Sequence, residues 1–155
     1  LPTCEVKIID EEICVKGDIV MLGYYKNDEA TKESMSDGYF HTGDLGYLDE
    51  DGFLFITGRK KNLIILSNGK NINPEELENK LETIKGIREV IVFEEKDSIV
   101  AEVFADETVE NAESVVKEAV EELNKTLPTF KQIGDVQFRA TEFPKTSTKK
   151  IKRNR

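Results

Sequence analysis

Apolar and polar residues alternate in short runs at the start of the chain, with Val6 and Ile8, Ile13 and Val15, and Ile19 and Met21 as three pairs. Turn-prone residues 10–12 and Gly17-Asp18 separate the pairs, so the period of two predicts three consecutive strands. Residues 44–58 repeat the pattern: apolar runs at 45–48 and 53–57 flank Asp49-Glu50-Asp51-Gly52, which predicts a hairpin. After Gly58 the period changes. Asn73-Pro74-Glu75-Glu76 sets a capping residue, a first-turn proline and two first-turn acids ahead of Leu77, Leu81 and Ile84, which predicts a helix ending near Gly86. Residues 87–93 and 99–105 then read as strands joined across Lys96-Asp97-Ser98. Residues 109–127 read as a second helix, with Val116, Ala119, Val120 and Leu123 on one face and Pro128 as its stop, and residues 136–138 as a further strand. The expected fold class is α+β: a β-rich part over 1–57, a joint at 58–61, and a compact α+β domain over 62–155.

Composition narrows the classes of function. No apolar run exceeds four positions, as at residues 63–66, far short of the roughly 18 needed for a transmembrane helix. The chain opens on Leu1 and carries no basic and apolar leader, so it reads as a piece that begins inside a longer protein. Cys4 and Cys14 sit in strand patterns without CxxC spacing or a neighbouring histidine in sequence, so the expectation is two reduced structural thiols, no metal site and a cytoplasmic location. The net charge of −9 hides an asymmetry: residues 145–155 hold six basic side chains and no acid, which leaves −15 on the first 144 residues. An acidic body with one short basic tail is a poor grip for nucleic acid, which calls for a basic face on the folded domain. Apart from Ile151 the chain beyond Thr146 is polar or basic, so its order is expected to depend on a partner surface.

Three stretches offer chemistry. In Asp37-Gly38-Tyr39-Phe40-His41-Thr42-Gly43-Asp44, Asp44 is expected at the mouth of a strand, where its carboxylate could accept two hydrogen bonds from a vicinal diol. The competing reading is a plain turn, and His41, with no second His or Cys near it in sequence, reads as structural. In Thr57-Gly58-Arg59-Lys60-Lys61, Arg59 offers a fork of donors for phosphate or ribose oxygens, and Gly69 further on lets a narrow ligand pass close to the backbone; the competing reading is a solvated basic loop. In Pro144-Lys145-Thr146-Ser147-Thr148-Lys149-Lys150-Ile151, a presented ammonium could stabilise negative charge that develops during acyl or phosphoryl transfer. The competing reading there is a basic tail that binds polyanions.

In this order the motifs resemble those of the adenylate-forming superfamily, which includes acyl-CoA synthetases, luciferases and peptide-synthetase adenylation domains. Glu12-Ile13-Cys14-Val15-Lys16-Gly17 with Gly23-Tyr24-Tyr25 resembles its paired-strand motif, and Thr42-Gly43-Asp44-Leu45 its TGDL signature. Gly58-Arg59-Lys60-Lys61 and Pro74-Glu75-Glu76-Leu77-Glu78 resemble its hinge-and-loop region, and residues 144–151 its terminal lysine motif. The resemblance implies an AMP-forming acid:CoA ligase that uses ATP with Mg and takes CoA as acceptor. Asp44 and Arg59 would bind nucleotide, Lys61 would be the hinge, Gly69 and Lys70 would border the pantetheine channel, and Lys150 would be the catalytic lysine. It also implies that an upstream large domain supplies the phosphate loop, the Mg site and the carboxylic-acid pocket. Residues 66–72 are most similar to fatty acyl-CoA synthetases, and loading of a carrier protein is the alternative within the superfamily. One position departs from the pattern: Lys149 stands where the family has glycine.

Overall fold

A computed structural model describes residues 3–153. It is α+β and divides into two compact units, Leu1–Asn62 and Leu63–Arg155.

The first unit is a mainly antiparallel sheet. Strands β1 (Cys4–Ile9) and β2 (Glu12–Gly17) form a tight hairpin through Asp10 and Glu11, both of which take the positive φ of a two-residue turn. The expected third strand at Ile19 and Met21 does not form. Ile19 is exposed and the chain turns there, and among the described residues no strand pairs with it. A short helix, α1 (Asp28–Ser34), follows; the Asn27 side chain caps it by accepting from the Ala30 N–H. After β3 (Met35–Ser36) comes the long β4 (Tyr39–Leu48), which pairs with β2, β3 and β5 (Leu54–Arg59). Ile13, Cys14, Tyr39 and Leu45 are buried, whereas Phe53, Leu54, Phe55 and Ile56 are exposed in succession. β5 thus shows apolar side chains on both of its faces.

Residues Lys60–Asn62 form one 3₁₀ turn that closes the first unit. The second unit begins with a small ladder, β6 (Ile64–Ile65) and β7 (Asn71–Ile72), and then helix α2 (Pro74–Leu81). Asn73 caps α2 by accepting from the Glu75 N–H, as its position before Pro74 implies. Strands β8 (Ile87–Glu95) and β9 (Ser98–Ala105) are antiparallel across Lys96 and Asp97, both at positive φ. Helix α3 (Ala112–Thr126) crosses back, and β10 (Ile133–Arg139) joins β9 in parallel, giving the sheet order β10-β9-β8. Leu77, Leu81, Val103 and Val116 are fully buried in its core with Ile72. Each such side chain contributes about 1.5–3 kcal/mol by leaving water, so α2 is held by packing more than by its eight-residue length. Among the described residues no helix is long and apolar enough to cross a membrane.

The basic tail is more ordered than its composition suggests. Lys145 and Ile151 bridge antiparallel, the Thr146 N–H donates to the Lys150 carbonyl at 2.8 Å, and the Lys152 N–H donates to the Pro144 carbonyl at 2.8 Å. The expectation that order here depends on a partner is therefore corrected. The tail is a small hairpin, anchored by Phe143, which is buried against Ile91 and Phe104 with Ile151 beside it.

Candidate functional site

Asp44 and Arg59 are direct partners in the β4–β5 ladder, and the Arg59 Nε donates to an Asp44 carboxylate oxygen at 2.6 Å. The sequence-based placement of Asp44 at the mouth of a strand needs correcting, because it lies within β4, beside an irregularity in the β4–β5 register at Leu45 and Gly46. Two glycines shape this strand. Gly43 takes φ +72°, which turns the backbone just before Asp44, and a Cβ on Gly46 would stand 2.3 Å from the Phe55 carbonyl oxygen. The Thr42 hydroxyl donates to the Ile13 carbonyl and accepts from the Asp44 N–H, which ties the Asp44 backbone to β2. An open cleft runs beside the pair, lined by Gly43, Arg59, Lys60 and Lys61. One carboxylate among three cations suits a ligand that carries both hydroxyls and negative charge.

Beneath this cleft lies Glu12, 3% exposed. One of its oxygens accepts from the Gly43 N–H at 2.9 Å, and the other faces His41 Nδ1 at 3.0 Å and the Lys60 ammonium at 2.8 Å. Burial alone would raise its carboxyl. Lys60, His41 and the Gly43 N–H outweigh burial and hold it below the usual carboxylate range. Glu12 thereby ties the turn next to Asp44 to the residue next to Arg59, a role with no local signal in the sequence because its partners lie 29 to 48 positions away.

The isolation expected for His41 and Cys14 is also corrected: they are cross-strand partners, with Cys14 Sγ 3.4 Å from His41 Nδ1. Glu12, Cys14 and His41 bring potential ligand atoms within 4.8 Å of one another. Both Glu12 oxygens are engaged by protein donors, and the Lys60 ammonium already balances the carboxylate charge. Magnesium takes hard oxygen ligands in near-octahedral array, and this Glu-Cys-His set does not fit it.

The remaining candidates belong to the second unit. Gly69, at φ +76°, forms the exposed turn between β6 and β7, where its N–H donates to the Leu66 carbonyl. The Lys70 ammonium lies 5.4 Å from the centre of the Phe130 ring. Asp97 accepts from both the N–H and the hydroxyl of Ser67, so the β8–β9 turn braces the loop that holds Gly69 and Lys70. Lys150 is exposed at the end of the tail turn, and Lys149 before it takes φ +62°. That left-handed conformation is a physical reason for glycine to be favoured at the position. Lys61 is exposed in the 3₁₀ turn that ends the first unit.

The AMP-binding enzyme C-terminal domain family matches residues 61–155. A 2-succinylbenzoate–CoA ligase of Listeria monocytogenes serotype 4b is 41% identical over 157 aligned positions, covering 97% of this chain and 32% of the relative. The long-chain-fatty-acid–CoA ligase FadD15 of Mycobacterium tuberculosis is 46% identical over 93 positions, covering 59% of this chain and 16% of the relative. Among solved structures, o-succinylbenzoate CoA synthetase from Bacillus subtilis in complex with the acyl-adenylate intermediate aligns with a TM-score of 0.78 at 30% identity, covering 97% of this chain and 33% of that one. The chain thus spans about a third of the length of these full-coverage relatives.

Proposed function

The chain belongs to the family of AMP-binding enzyme C-terminal domains, and from that premise we propose that it is the C-terminal portion of an AMP-forming acid:CoA ligase. The reaction would join a carboxylic acid to the α-phosphate of ATP and then pass the acyl group to the thiol of CoA. The observation that carries this reading is the Asp44–Arg59 pair beside a basic cleft in the first unit, with Arg59 three residues before that unit ends in the sequence. A carboxylate held within a strand can take both hydroxyls of a ribose, and the cations around it suit the phosphate that follows. Magnesium would be held by residues outside this chain, since the Glu12 cluster does not suit it.

In this reading Lys61 is the hinge, and the second unit offers two faces in turn to one nucleotide site. The Lys150 face serves adenylation by stabilising charge between the carboxylate and the α-phosphate. The Gly69-Lys70 loop serves thioester formation by bordering the pantetheine arm. Alternation of this kind lets a small domain serve two half-reactions. The consecutive exposed apolar residues of β5 support a larger body that covers this edge in the whole enzyme. We read the acid as a fatty acid, on residues 66–72 and the long-chain ligase relative; the 2-succinylbenzoate ligase relative favours an aromatic acid as the second reading.

The test is ATP–pyrophosphate exchange by the full-length protein with palmitate and with 2-succinylbenzoate, alongside the 155-residue chain alone. Exchange by the full-length protein with one acid and none by the chain alone is expected; robust exchange by the chain alone contradicts the proposal.

A further inference from the structure

The terminal hairpin that carries Lys150 is fastened at both arms. The incoming arm is held by β8: Glu89 accepts from the Phe143 N–H at 2.9 Å and pairs with the Lys145 ammonium, while Phe143 is buried and lies under the Arg139 guanidinium. The outgoing arm reaches α2, where the Arg153 guanidinium pairs with Glu78 and stands 3.7 Å from Glu75. Glu78 is itself locked, since its other oxygen accepts from the Val92 N–H of β8 at 2.7 Å. Three elements of the second unit therefore converge on one carboxylate, which is 7% exposed.

A helix with the pattern of α2 would bury Leu77 and Leu81 and leave position 78 wet or paired. A buried charge is kept only with partners, and Glu78 finds them 14 and 75 residues away. Lys150 lies between the two fastened arms, three residues before Arg153 and directly before Ile151, which packs on the Phe143 cluster. Its own side chain is exposed.

We infer that Glu78 and Arg153 form a latch that positions Lys150, so that the lysine arrives at its target as a fixed cation rather than at the end of a loose tail. Glu78 and Arg153 are positioning residues in this scheme and touch no reacting atom. The physical gain is preorganisation: the hairpin is ordered before the domain swings, and that ordering need not be repeated in the transition state. The inference rests on the reading of Lys150 as the adenylation lysine.

The variants are Arg153→Met, which keeps the stem and removes the charge, Arg153→Lys, which keeps the charge without the fork, and Glu78→Gln. At pH 8 Glu78, pushed up to about 7 by burial against the pull of Val92 and Arg153, is mainly charged, so it meets Arg153 as an ion pair, which is the form the variants test. Hydrogen exchange on the 155-residue chain is expected to quicken about tenfold at the Thr146, Lys149 and Lys152 amides in Arg153→Met, the equivalent of one charge-assisted hydrogen bond. Arg153→Lys should lie between it and the parent, with β8 and β9 unchanged in both. In the full-length ligase the same change should slow adenylation about tenfold at unchanged KM for ATP, and leave thioester formation from added acyl-adenylate unaltered. Unchanged exchange in Arg153→Met overturns the latch, as does equal slowing of both half-reactions. If Lys150→Ala leaves adenylation intact, the reading of Lys150 fails separately and the exchange result alone decides on the latch.

Discussion

The Asp44 carboxylate and the Arg59 guanidinium are joined across β4 and β5 at 2.6 Å, so the strand pairing brings together two residues 15 positions apart in sequence. Neither is fully buried; the side chains are 26% and 53% exposed. A pair this open adds about 0–1 kcal/mol to the fold, so under the proposed function its worth is in presenting both groups to a ligand.

Asp44→Ala in the full-length protein is therefore expected to raise the KM for ATP by about 10- to 100-fold, the loss of one or two hydrogen bonds to a charged acceptor. The melting temperature should move little. Initial-rate kinetics with varied ATP, paired with a thermal melt, checks both. A large drop in melting temperature would mean the residue is structural.

Glu78 and Glu89 should make stability depend on pH in opposite senses. Burial pushes Glu78 up from 4.5 to about 7, so its contribution is complete below 4.5 and is lost as pH rises through 7. Glu89 is also raised by burial, but Lys145 and the Phe143 N–H outweigh that and hold it below 4.5. Its contribution is present above 4.5 and is lost as pH falls through the lowered value. Urea midpoints of the chain between pH 3 and 8 should decline on both sides of a maximum near pH 5, where Glu78 is largely protonated and Glu89 largely ionised. Glu78→Gln should flatten the decline between pH 5 and 8 and keep the acid side. An unchanged upper limb in that variant would contradict the assignment.

Lys149 takes φ +62° in the tail turn, a conformation that costs an L-residue about 1–2 kcal/mol. Lys149→Gly should remove most of that cost, less what glycine adds to the entropy of the unfolded chain. Slower exchange at the Thr146 and Lys149 amides, whose bonds close the turn, is the expected result. Faster exchange would show that entropy dominates.

Elements whose cause is local were legible in the sequence. Asn73-Pro74-Glu75-Glu76 carries its own cap and first turn, and α2 starts where that pattern implies. Pro128 ends α3 in the same way, and Lys96-Asp97 turns β8 into β9. Features set by distant pairing were not legible. α1 is the local exception: it buries none of its residues and rests on the Asn27 cap, so it leaves no apolar period to detect. Ile19 and Met21 stand in a short apolar run that reads as a strand, but among the described residues they find no ladder partner. Asp44 and Arg59 stood out by residue type, whereas Glu12, Glu78 and Arg153 take their roles from neighbours that only the fold supplies. Cys14 and His41 read as isolated because the β2–β4 register that joins them spans 27 positions.

The most direct measurement on the central claim is Lys150→Ala in the full-length protein, with the two half-reactions followed separately. Pyrophosphate release in the first turnover should fall by at least about 100-fold, the scale of losing a positioned charge at a reacting centre. Thioester formation from supplied acyl-adenylate and CoA should stay within about twofold of the parent, a change worth less than 0.5 kcal/mol. Equal loss in both half-reactions, or intact pyrophosphate release, would contradict the assignment of Lys150 to adenylation.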